Sequence, residues 1–273
     1  MGWQWQKGKT LNYLIIEEWA EKGVTAAFSS RSGGLSNGPY TSLNIGLHVE
    51  DKQETVLANR KRLLDEWSIP FEDCVVADQV HGRHIQFITG EDRGKGMEST
   101  GTAIPSTDGM LTNSGIALMA FFADCVPVFF FHPDIRIIGL AHAGWKGTAS
   151  GIAGKMIEKI SSYGGHPSRC LVGIGPCIGK CCYEVDENVI EAINEKVLNI
   201  ARVAAPVEKN ESAKKKYKLD LAAANREILL AGGVHPSNIW ESGMCTSCQE
   251  EDFYSYRRDN GRTGRMAGLI KMC

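Results

Sequence analysis

Apolar positions along this chain recur in two ways, as short continuous runs and as helical stripes. The central run goes from Ile116 to Phe131, interrupted by Asp124 and Pro127. Continuous apolar runs mark strands buried on both faces. This pattern predicts a strand ending in Ala123-Asp124-Cys125 and a second strand over Ile137 to His142. The turn Ala143-Gly144-Trp145-Lys146-Gly147 follows, and Ile152, Met156, Ile157 and Ile160 then mark one face of a helix that stops at Gly164-Gly165.

The flanks read in the same way. Leu14 to Trp19 predicts a strand or short helix, and Val24 to Ser29 a strand. Ser30 to Ser36 is a loop, and Ser42 to Gly46 a short apolar-polar piece. A helix is expected from Glu54 to Trp67, stopped before Pro70, then strands at Cys74 to Val80 and His84 to Ile88. Residues 90–107 read as a surface loop closed by the turn Thr107-Asp108-Gly109. Beyond the centre we expect a strand at Cys170 to Ile174 and a helix from Val185 to Ala201 capped by Asp186. A helix from Leu219 to Leu230 and strands at Ile239 to Cys245, Phe253 to Arg257 and Met266 to Met272 complete the set. Strands and helices interleave with no linker or repeat, so one α/β or α+β domain over 1–273 is expected.

Composition adds exclusions. A net charge of −2 offers no general attraction to nucleic acid or anionic membrane. The run Lys214-Lys215-Lys216-Tyr217-Lys218 is the local exception, read as a solvated loop leading into a helix. The N-terminus lacks a secretory pattern, and the longest apolar run is too short to span a bilayer. A cytoplasmic location is expected, where the nine cysteines stay reduced unless they bind metal or act in catalysis.

Three residues beside strand breakers can carry chemistry: His81, Cys125 and His142. Two imidazoles and a thiolate with an open fourth position is a catalytic zinc pattern. Their wide spacing leaves a core cysteine with two unrelated histidines as the competing reading. Asp124, set in an apolar run, needs a partner, either in function or in a salt bridge to arginine. The glycine turn is either an anion cradle reinforced by Lys146 or a tight strand-to-helix connection. Cys177, Cys181 and Cys182, with Cys245 and Cys248, form either a second metal or redox site or scattered thiols. Arg257, Arg258, Arg262 and Arg265 are candidate phosphate forks on a turn that reads equally as solvated.

Five motifs together carry a resemblance. They are Gln79-Val80-His81-Gly82, Ala123-Asp124-Cys125-Val126-Pro127, Ala141-His142-Ala143-Gly144-Trp145-Lys146-Gly147, Gly175-Pro176-Cys177-Ile178-Gly179 and Tyr254-Ser255-Tyr256-Arg257-Arg258-Asp259. In this order, over nearly the whole chain, they resemble the YfiH/YlmD family, also labelled polyphenol oxidase or multicopper laccase. The similarity is greatest to YlmD proteins of spore-forming Gram-positive bacteria. The resemblance implies an α+β fold of mixed central sheets flanked by helices, of the cysteine-hydrolase type. It implies zinc, ahead of copper, on His81, Cys125 and His142. It also implies phosphorolysis of adenosine, inosine, guanosine and methylthioadenosine, and deamination of adenosine.

On that reading Asp124, Cys125 and His81 are the catalytic candidates, with Asp124 as proton shuttle. Arg31, Asn44, Gly144, Lys146 and Arg257 are candidate contacts to nucleoside or inorganic phosphate. Two other readings stand beside it. One is an amidase or peptidoglycan-editing hydrolase with Cys125 as nucleophile, a role excluded while that thiolate ligates metal. The other is a copper oxidase of phenols, poorly served by seven scattered histidines with no His-x-His pair.

Overall fold

The computed structural model describes residues 2–207 and 215–273. Its centre is two six-stranded sheets laid face to face. In the first, the strands run Trp3–Lys7, Asn12–Ile16, Val24–Ser29, Met266–Met272, Ala117–Phe122 and Cys74–Val76, in that spatial order. In the second the order is Ile239–Glu241, Leu171–Ile174, Val126–His132, Ile137–Ala143, Gly109–Thr112 and Ile85–Phe87. Both sheets are mixed: Cys74–Val76 runs parallel to Ala117–Phe122, and Ile239–Glu241 parallel to Leu171–Ile174, among antiparallel neighbours.

The continuous apolar runs are explained by layering. In Ala117–Phe122, residues Leu118, Ala120 and Phe122 point into the core between the sheets, with Phe129, Phe131, Ile138 and Leu140 of the second sheet. The alternate residues Ala117, Met119 and Phe121 pack outward with Leu63 and Leu64 of the helix Gln53–Glu66. In the second sheet Val126, Val128 and Phe130 face outward onto Ile152, Met156, Ile157 and Ile160 of the helix Ile152–Ser162. Strands covered on both faces have no polar alternation to show. The architecture is therefore α+β, with helices outside two mixed sheets.

The long run from Ile116 to Phe131 holds two strands. Ala117–Phe122 belongs to the first sheet and Val126–His132, which the apolar pattern did not separate, to the second. The crossover is the turn at Ala123-Asp124-Cys125, where Asp124 takes φ 86°, a left-handed conformation that non-glycine residues rarely adopt. Pro127 falls inside the second strand, opposite His142, but lies beyond the end of the ladder to Leu171–Ile174, so it breaks no register there.

Several other expectations change. The predicted helix Val185 to Ala201 is a short strand, Glu184–Asp186, followed by the helix Glu187–Asn194. The helix ends because the chain turns Val197 inward and leaves Leu198 exposed, and the Asn199 side chain then caps a new turn at the Ala201 amide. Asp186 sits at the helix start without a side-chain capping bond. Lys216–Leu219, read as loop, is the middle strand of a small sheet with Glu184–Asp186 and Ala204–Pro206; Lys214 of that run lies outside the described residues. Asp220 caps the helix Leu221–Ala231, accepting from the Ala223 amide at 2.9 Å.

Phe253 to Arg257 is buried in part but unpaired; the Tyr254 amide meets the Met266 sulfur in place of a strand neighbour. The strands at Cys74, His84 and Ile239 shrink to Cys74–Val76, Ile85–Phe87 and Ile239–Glu241. Among the described residues no helix is long and apolar enough to cross a membrane.

A candidate metal centre where the sheets cross

Cys125 leaves the crossover turn directly into Val126–His132, whose first residues pair with the end of Ile137–Ala143: Val126 opposite Ala143 and Pro127 opposite His142. This register brings the Cys125 thiol beside the His142 ring. His81 arrives from the first sheet, on the loop after Cys74–Val76. One donor atom from each of His81, Cys125 and His142 lies within 4.8 Å of the others. The two rings stand 4.8 Å apart at 75°.

The residue that ties these segments together escaped the sequence reading. Asp108 appeared there only as part of a turn. Its side chain is fully buried, and Oδ1 lies 2.8 Å from Nδ1 of His142. It also accepts from three successive amides: Val80 at 3.2 Å, His81 at 3.0 Å and Gly82 at 2.7 Å. Wrapping three amides around one carboxylate holds His81 at φ 61°, a strained conformation of the kind found at functional sites. Asp108 also leaves Nε2 as the ligating nitrogen of His142, since a carboxylate partner on one ring nitrogen sets the role of the other. An Asp-Gly pair before a strand reads as punctuation, so only the ladder partner Ala141 opposite Gly109 reveals it.

Charge follows from this packing. Burial alone would push the Cys125 thiol up, but the charge and hydrogen bond of His142, with His81 beside it, bring it down to about 6. Burial would likewise lower His142, yet the Cys125 thiolate and Asp108 raise it to about 9. Asp108, penalised by burial, is held below its ordinary range by His142 and the Gly82 and His81 amides. Without metal, the centre is thus a thiolate–imidazolium pair. With metal, the same thiolate and a deprotonated His142 are the ligands that soft divalent ions require.

Gly144 fits this crowding. It caps the helix Trp145–Ala149, only five residues long, so the fold demands space of it: a Cβ there would sit 2.9 Å from Cys125 Sγ and 3.0 Å from His81 Cδ2. The donor chemistry, the Asp108 support and the absent Cβ all fit a metal ion on these three residues.

Above the centre lies a cavity of about 600 Å³ whose walls include His48, Phe121, Lys146, Tyr256, Arg257 and Arg265. Burial first, then Arg265 and Arg60, push His48 down to about 4, so it is a neutral ring. Gln79 closes the first sheet at this end: its side-chain amide donates to Phe121 O at 2.9 Å and accepts from Phe121 N at 2.8 Å, as a strand neighbour would. Asp124 lines the same cavity but its carboxylate is committed, to Thr246 Oγ1 at 2.7 Å and the Arg257 backbone amide at 2.7 Å. In place of the salt bridge to an arginine that its burial suggested, Arg257 supplies a backbone amide.

Arg31 and Asn44 stand apart from the cavity lining. Arg31 donates to the carbonyls of Thr41 and Glu250 and covers the Tyr254 ring. Asn44 is fully buried and accepts from the Gly46 and Arg265 amides, which places Arg265 on the wall. His48 and Asp108 carried no chemical motif that would have distinguished them, and Tyr256 appeared only inside the Tyr254 to Asp259 motif.

Fold and site define a two-sheet α+β protein with a His/Cys metal-type centre at the base of an open cavity. Residues 25–273 match the family described as multi-copper polyphenol oxidoreductase laccase. The purine nucleoside phosphorylase YlmD of Geobacillus stearothermophilus is 45% identical over 255 residues, covering 91% of this chain and 90% of that protein. The purine nucleoside phosphorylase YlmD of Bacillus subtilis is 41% identical, covering 96% and 95%. The crystal structure of the Bacillus licheniformis hypothetical protein YfiH superposes with a TM-score of 0.93 at 40% identity, covering 98% of this chain and 99% of that one. The chain belongs to this YfiH/YlmD family. Among the described residues, the two groups able to hold a metal contain two histidines and none, too few for a histidine-rich multicopper cluster, while two histidines and a cysteine are donors that zinc and copper both accept.

Proposed function

We propose that this protein is a zinc-dependent purine nucleoside phosphorylase, acting on adenosine, inosine, guanosine and methylthioadenosine, with adenosine deaminase activity. The observation that carries the reading is the convergence of His81, Cys125 and His142 beneath a cavity lined by cations and aromatic rings. The names of the relatives add the substrate class. A zinc ion held by these three residues would supply Lewis acidity. Lys146, Arg257 and Arg265 give the cavity wall the positive charge an inorganic phosphate needs. Tyr256, with 56% of its surface exposed, offers a ring face to a purine. Asp124 is placed to accept or return a proton only if its bond from Thr246 or Arg257 is given up.

Incubating the protein with adenosine and phosphate should yield adenine and ribose 1-phosphate, and His81→Ala should abolish both. No product from the wild type, or equal product from the variant, would overturn the reading. A second reading rests on the thiolate–imidazolium pair of Cys125 and His142, which is the activated form of a nucleophilic cysteine. Rapid alkylation of Cys125 in freshly purified protein of low metal content, with hydrolysis of amide substrates, would favour that alternative.

A further inference from the structure

A second group of donors lies outside the cavity. Cys181, Cys182, Cys245 and Cys248 bring four sulfurs within 4.8 Å of one another. Cys248 Sγ is 3.5 Å from Cys181 Sγ and 3.4 Å from Cys182 Sγ, and all four are free thiols. Four sulfurs at about 2.3 Å from a tetrahedral zinc would be about 3.8 Å apart. Packing does not account for the gathering, because Cys181 and Cys248 are exposed. The Gly179 amide also donates to Cys245 Sγ at 3.2 Å, an interaction that suits a thiolate better than a thiol. Cys245-x-x-Cys248 has the short spacing of structural zinc sites.

We propose that Cys181, Cys182, Cys245 and Cys248 hold one zinc ion as four thiolates, in a closed site that fastens two loops behind the candidate active site. The loops leave neighbouring parallel strands, Leu171–Ile174 and Ile239–Glu241, and continue side by side through the Cys177–Cys245 bridge. Both reach the crossover turn. The Ile178 amide donates to Asp124 O at 2.9 Å, and Thr246 Oγ1 donates to its carboxylate. Arg258 in turn donates to the Thr246 carbonyl at 3.0 Å. A metal joining the loops holds Asp124 in its left-handed turn, and through it the position of Cys125, without touching substrate. This site is independent of the activity proposed above.

Metal content measured on protein purified under reducing conditions without chelator tests the assignment. Cys181→Ser/Cys248→Ser should lose one zinc per chain relative to wild type and keep the metal that His81→Ala/His142→Ala loses. In the wild type, the four cysteines should resist alkylation until a chelator is added, a readout that needs no variant to fold. Ready alkylation of Cys181 and Cys248 in metal-replete protein would overturn the proposal. So would unchanged zinc in the cysteine variant, iron in place of zinc, or disulfides among these residues under native conditions.

Discussion

The two donor groups of this protein are built in opposite ways. His81, Cys125 and His142 are mixed in chemistry and line the cavity, graded from the exposed His81 to the buried His142. Cys181, Cys182, Cys245 and Cys248 are all sulfur and sit on loops at the surface. The first group is organised by its own surroundings: a sheet register, a buried carboxylate and a glycine hold it whether or not it contains metal, and the second site only steadies the turn before Cys125. The second has two loops and backbone hydrogen bonds from Gly179 and Cys248 to one sulfur, so a metal there would supply its own scaffold. An ion in the first suits chemistry, and one in the second suits architecture.

Proton release separates the two most strongly. In the metal-free centre Cys125, at about 6, is already a thiolate at neutral pH, while His142, at about 9, holds a proton. Between those values the Cys125–His142 pair therefore releases one proton on binding metal, and below about 6 a second, from Cys125. Affinity should fall about tenfold per pH unit from 9 to 6 and more steeply below. At the four-cysteine group, burial raises Cys181 and the hydrogen bonds with Cys182 and Cys181 raise Cys248, so both must give up protons to bind metal, while the Gly179 amide lowers Cys245 against its burial; release there should exceed one proton. Calorimetry in buffers of different ionisation enthalpy counts these protons. Equal counts at the two groups would erase the distinction.

Asp108→Asn should weaken metal at the first centre by about 10–100-fold, because the amide cannot accept both from His142 and from the loop amides. The four-cysteine group should keep its metal, and competition with a chromophoric chelator reads both. An Asp108→Asn protein with full affinity would mean that the carboxylate does not orient the histidine. Gly144→Ala should have the smallest effect, about 1 kcal/mol of stability in the metal-free protein, the low end for overpacking. The new Cβ would meet side-chain atoms rather than backbone, Cys125 Sγ at 2.9 Å and His81 Cδ2 at 3.0 Å, and would force them to shift. Urea unfolding measures it, and an unchanged midpoint would show that the two ligands are free to part.

Much of the frame was legible in the order of residues. The helices Gln53–Glu66, Ile152–Ser162 and Leu221–Ala231 follow from stripes, caps and glycine stops, which are local. The strands Val24–Ser29 and Met266–Met272 follow from apolar runs. Elements whose existence depends on a distant partner were misread. Lys216–Leu219 is a strand because Glu184–Asp186 and Ala204–Pro206 pair with it, though its own residues are those of a solvated loop. Phe253 to Arg257 has strand-like residues and no partner.

The site divides along the same line. Residue type alone determined which groups on this chain could ligate a metal, since His81, Cys125 and His142 stand where strands break. Their meeting was decided by tertiary structure, through the crossover at Asp124 that carries the chain from a strand of one sheet, Ala117–Phe122, into a strand of the other, Val126–His132. The importance of Asp108 and the closeness that requires a glycine at Gly144 also belong to the folded chain. Both arise from side chains and amides that are far apart in sequence, and only the folded protein sets those distances.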